Sequence, residues 1–113
     1  MSRADLPPSE KAQLLAQRIK RNPRNPRTAR IIAALMSHPF VWREQIDEVA
    51  GASNGPEEVR RIRGLGLDIP CERVPTTDRD GRGTNPGRYR LDATDRATVR
   101  DALALLAKES TPC

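Results

Sequence analysis

Apolar residues recur along this chain in short runs with helical spacing, separated by stretches rich in proline, glycine and asparagine. Ala12, Leu15, Ala16 and Ile19 fall at i, i+3, i+4 and i+7 and predict a first helix, with Ser9 as its candidate cap. The polar, proline-containing residues 1–8 ahead of it are expected to be disordered. Thr28, Ile31, Ile32 and Leu35 predict a second helix, ended by the His38-Pro39 step. Between the two, Lys20 to Arg27 contains two Asn-Pro steps that oppose helix. It reads as a basic connector, either a solvated linker or an arm that brings Arg24 and Arg27 to phosphate.

The stretch Trp42 to Leu67 carries the organising pattern. Trp42, Ile46, Val49 and Ala50 share one helical face, and Gly51 stops that helix. Ala52-Ser53-Asn54-Gly55 supplies turn chemistry, and Pro56 suits the first turn of a following helix. In that helix Val59 and Ile62 form the buried pair, so Glu57, Arg60, Arg61 and Gly64 point outward. Two short helices joined by a glycine-containing turn, the second presenting arginines, form the pattern of a helix-turn-helix.

Beyond it, residues 67–74 alternate and favour strand, residues 75–87 are turn and loop types almost throughout, and Arg88-Tyr89-Arg90-Leu91 alternates again. This predicts a β-hairpin spanning about Ile69 to Leu91, joined by a short strand near Phe40-Val41. Asp92 and Thr94 are candidate caps for a last helix. Val99, Ala102, Leu103 and Leu106 line one face of that helix, and Ala97 and Leu105 widen its apolar surface beyond a single stripe. That excess suits packing on the first helix or pairing with a second copy as a homodimer.

Composition narrows the partners. The chain has 113 residues, one domain by length, with 36% hydrophobic content and a mean hydropathy of -0.68, so its core is small. A formal charge of +5 and a pI near 10.0 suit a polyanion. Only Lys11, Lys20 and Lys108 are lysines, and the arginine bias favours planar contacts to phosphate or guanine. With 3% aromatics there is no stacking platform for single-stranded bases. Cys71, Cys113 and His38 are too few for a structural zinc site, and no triad, metal cluster or phosphate-binding glycine loop points to an enzyme. No metal or other cofactor is expected. No stretch approaches the roughly eighteen apolar residues of a membrane span, so a cytoplasmic protein without membrane contact is expected.

The order helix, helix-turn-helix, hairpin, helix resembles the winged helix-turn-helix superfamily over roughly Thr28 to Leu91. The runs IRGLGLDIPCERV and GRYRLD are similar to small winged-helix proteins of bacteriophages and mobile elements. The resemblance implies a mainly α fold with a small β-hairpin. It would be a single winged helix-turn-helix domain over 9–108, with the motif at 42–67, the wing at 69–91, a C-terminal helix at 94–108 and a flexible tail at 109–113. It also implies that the second motif helix enters the major groove while the wing touches phosphate or minor groove. Those roles would fall on Ser53, Asn54, Arg60 and Arg61, and on Arg79 and Arg82. Glu57 could accept from a cytosine amino group, although carboxylates at the start of this helix, on Glu57 and Glu58, repel phosphate. Two functions follow. One is sequence-specific binding of double-stranded DNA by a small phage or prophage transcriptional regulator. The alternative is a protein-interaction module, such as a phage-encoded inhibitor of a host protein machine.

Overall fold

A computed structural model describes residues 6–21, 26–51 and 55–110, with residues 109 and 110 described by backbone only. The described chain is mainly helical with a small antiparallel sheet. Helix α1 spans Pro8–Arg21 and starts one residue before Ser9. Proline is at ease in the first turn, where its missing N–H would have no helical partner, and the Pro7 carbonyl accepts from Glu10 at 3.0 Å and Lys11 at 3.2 Å. The chain is therefore already helical at Pro8, and Ser9 is not the cap. Ala12, Leu15 and Ala16 are buried, as their spacing requires.

Helix α2 spans Arg27–Ser37 and buries Thr28, Ile31, Ile32 and Leu35. Its free carbonyl end is held from a distance. The Arg96 guanidinium donates to the carbonyls of Met36 at 3.2 Å and of Leu35 and His38 at 3.3 Å, placing a cation at the negative end of the helix dipole.

Strand β1 is Val41–Trp42, followed by a single 3-10 turn at Arg43–Gln45 and the short helix α3, Ile46–Ala50. The expected helical stripe thus begins at Ile46 rather than Trp42. The β-branched and aromatic residues after Pro39 pair with a returning strand instead, which outweighs the helical spacing of Trp42. Gly51 ends α3 with φ of 70°, the left-handed conformation that favours glycine.

Helix α4, Gly55–Arg63, packs across α3. A Cβ on Gly55 would lie 2.8 Å from the Ile46 carbonyl carbon and oxygen, so the close crossing of the two helices requires glycine there. The Asp47 carboxylate accepts the Gly55 N–H at 2.5 Å. Val59 and Ile62 are fully buried, while Val49 is half-buried against the core.

Strands β2, Cys71–Arg73, and β5, Gly87–Tyr89, complete a three-stranded antiparallel sheet in the order β1-β5-β2, with Tyr89 opposite both Val41 and Cys71. The segment 75–87, expected as loop, carries a second short ladder between β3, Thr76–Thr77, and β4, Gly83–Thr84. Two facts account for it. Threonine favours strand, and the Thr76 and Thr84 hydroxyls meet at 2.6 Å. The Asp78 carboxylate also organises the tip by accepting N–H groups of Asp80 at 3.0 Å and Arg82 at 2.8 Å.

Helix α5, Ala93–Ser110, is capped by Asp92, whose carboxylate accepts the Asp95 N–H at 2.7 Å; it lies along α1. Val99 and Ala102 face the core, whereas Leu103 is 46% exposed. Among the described residues no helix is long and apolar enough to cross a membrane.

Candidate nucleic-acid interface

Helix α4 has a charged outer face and, unexpectedly, a charged inner one. Glu58 is 4% exposed and turned inward. Its carboxylate accepts from Arg18 Nε at 3.2 Å and from Arg18 Nη2 at 3.0 and 3.1 Å, and from the Thr28 hydroxyl. A carboxylate expected to repel phosphate at the head of this helix is instead neutralised inside the fold. Glu58 precedes Ile62 by four residues, so the helical wheel that buries Ile62 also turns Glu58 inward; the charge of its side chain concealed this.

The outer face carries Glu57, Arg60 and Arg61. The Glu57 carboxylate is held mainly by Arg60, with Nε at 2.9 Å and Nη2 at 2.5 Å, rather than by Arg61, whose Nε is 3.7 Å away. The Arg60 hydrogen bond holds the Glu57 carboxyl below its ordinary range, and the same bond raises the Arg60 guanidinium. Arg61 is half exposed, with Glu57 and Glu58 oxygens only at 3.7 and 3.8 Å. Its guanidinium is the less committed of the two cations.

Other arginines are used by the fold. Arg30 donates to the Ala50 carbonyl at 3.4 Å and closes the end of α3. Arg63 donates to the Ile69 carbonyl at 2.6 Å and lies over the Tyr89 ring, tying the end of α4 to the sheet. Arg88 packs over the Phe40 and Trp42 rings and pairs with Glu72 at 2.5 Å. At the hairpin tip the case differs. Arg79 and Arg82 are exposed, and among the described residues neither side chain makes a hydrogen bond or ion pair; the same holds for Arg90 beside β5.

Arg27 sits in the first turn of α2, half-buried, with Nε buried and without a hydrogen-bond partner among the described residues. Ser53, Asn54 and Arg24 lie outside the described residues, as does Cys113. Cys71 is exposed and carries a free thiol.

One acidic group serves structure. The carboxylates of Asp68, Asp92 and Asp95 lie within 4.8 Å of one another. The two Asp95 oxygens accept the N–H groups of Asp68 at 2.9 Å and Ile69 at 2.8 Å. These bonds hold Ile69 at φ of 38°, a left-handed backbone that a β-branched residue rarely adopts, while its side chain is fully buried. Burial raises the Asp95 pKa above the ordinary aspartate value, the two N–H donors oppose the rise, and the Asp92 charge adds to it. No sequence pattern marked this contact, because its partners are backbone groups brought from the far side of the hairpin. No family model matches the chain, and no curated protein matches it either.

Proposed function

We propose that this chain is a winged helix-turn-helix protein that binds double-stranded DNA with sequence preference, acting as a small transcriptional regulator. In this reading α3 and α4 form the motif, α4 enters the major groove, and the β2–β5 hairpin is the wing. The observation that carries the reading is the inward turn of Glu58. It removes one of the two carboxylates that stood against phosphate, and leaves Arg60 and Arg61 facing outward on the helix that precedes the hairpin. The exposed Arg79 and Arg82 at the tip suit phosphate contact, which positions a protein on the duplex without reading bases. The likeness of IRGLGLDIPCERV and GRYRLD to phage and mobile-element proteins favours a phage or prophage setting.

One observation favours the docking-module reading, in which the same face binds a protein. Arg60 is closed onto Glu57, which neutralises part of the groove-facing charge. The test is electrophoretic mobility with a pool of random duplexes at low and moderate salt. Retention that weakens with salt, with recovery of a common sequence from the retained pool, supports DNA recognition. Absence of retention at low salt rejects it in favour of the docking module.

A further inference from the structure

Helices α1 and α5 lie side by side and leave between them an open apolar groove of about 610 Å³. It is lined by small side chains, the buried Ala12 from α1 and the exposed Ala104 from α5, together with the half-buried Leu105. On α5 the groove is edged by Asp101, Ala104, Leu105 and Lys108, spaced i, i+3, i+4 and i+7, so they form one continuous stripe. The stripe has one negative end and one positive end, about 10 Å apart at the helical rise per residue. Among the described residues neither Asp101 nor Lys108 enters an ion pair.

We propose that this groove is closed by a second copy of the chain, through an antiparallel two-fold contact of α5 with α5. The charge order selects this occupant. With the two-fold axis between Ala104 and Leu105, Asp101 falls opposite the second copy's Lys108, and Lys108 opposite its Asp101. Each Leu105 then seats over the small Ala104 of the other helix, a large side chain into the gap that alanine leaves. A stripe with opposite charges equally far from its centre is complementary to itself only under such a rotation, which is the symmetry of an isologous dimer. The interface uses neither α4 nor the hairpin, so it stands whether or not DNA is the partner.

The test is the solution mass of the full chain by sedimentation equilibrium at micromolar concentrations, for the wild type, Asp101→Lys, Lys108→Asp and the double exchange Asp101→Lys/Lys108→Asp. Both positions are exposed, and far-UV circular dichroism checks that each variant keeps its helices. The wild type should be a dimer. Each single change sets like charges opposite each other twice and should weaken dimerisation by about tenfold or more. The double exchange reverses both ends together and should restore the dimer. A monomeric wild type overturns the proposal. So does a dimer unaffected by either single change, or a double exchange that stays monomeric with its helices intact.

Discussion

Arg18 on α1 and Glu58 on α4, forty residues apart in sequence, meet in a two-armed ion pair with Nε–Oε1 at 3.2 Å and Nη2–Oε2 at 3.0 Å. The pair ties the first helix to the helix that carries the exposed arginines. Removing Arg18 leaves a nearly buried carboxylate with the Thr28 hydroxyl and only a distant second cation, Arg61. Arg18→Met should therefore cost about 3 kcal/mol. Arg18→Met with Glu58→Met should cost less than Arg18→Met alone, because no charge is stranded. Urea denaturation of the three proteins measures both. A double variant less stable than the single one contradicts the stranded-charge explanation.

Gly55 is fixed by space. Its Cβ position would lie 2.6 Å from the Ile46 Cγ2 and 2.8 Å from the Ile46 carbonyl carbon and oxygen, and the backbone atoms cannot rotate aside as a side chain would. Gly55→Ala should lower stability by about 1 to 3 kcal/mol, read from the midpoint of thermal or urea unfolding. Gly83, with open space around its Cβ position, is the control, and Gly83→Ala should change stability by less.

Asp95 gives the fold an unusual dependence on pH. Its folded-state pKa lies above the unfolded value. Its contribution to stability is therefore fully present below the ordinary aspartate pKa, and is lost as pH rises through the higher folded value. Glu57 has the opposite sign: its lowered pKa contributes stability above the ordinary glutamate value and loses it on acidification. Comparing the urea midpoint of wild type and Asp95→Asn across the acidic range isolates the first effect. The wild type's advantage should shrink as pH rises through the Asp95 titration; an advantage that grows with pH would mean that folding lowers the Asp95 pKa instead. Carbon NMR of the carboxyl groups should place Asp95 above, and Glu57 below, their ordinary values.

The helices were legible because their buried residues are apolar and periodic: Ile31, Ile32, Leu35, Val59, Ile62 and Val99 all lie where their spacing put them. The strand near Val41 was legible from its β-branched and aromatic neighbours, one residue short of its observed end. At Trp42 helical spacing and strand propensity conflict, and pairing with β5 decides for the strand. The ladder at Thr76–Thr77 was hidden inside a run of turn residues, since two-residue strands carry no period. At the candidate interface the outward positions of Glu57, Arg60 and Arg61 followed from periodicity. The inward turn of Glu58 and the employment of Arg63, Arg88 and Arg96 by the fold did not, because their partners are distant in sequence or belong to the backbone.

The proposed division of labour between α4 and the hairpin tip is tested most directly by the salt dependence of duplex affinity. Fluorescence anisotropy on the best selected site and on an unrelated duplex compares the wild type, Arg61→Ala, and Arg79→Ala with Arg82→Ala. If α4 reads bases, Arg61→Ala loses about 1 to 3 kcal/mol on the selected site and blurs the preference between the two duplexes. If the tip follows phosphates, the double change weakens both duplexes alike and reduces the salt slope by roughly 2. Unchanged affinity and slope in both variants would contradict DNA recognition by this face, and loss of a protein partner by the same variants would put the docking module in its place.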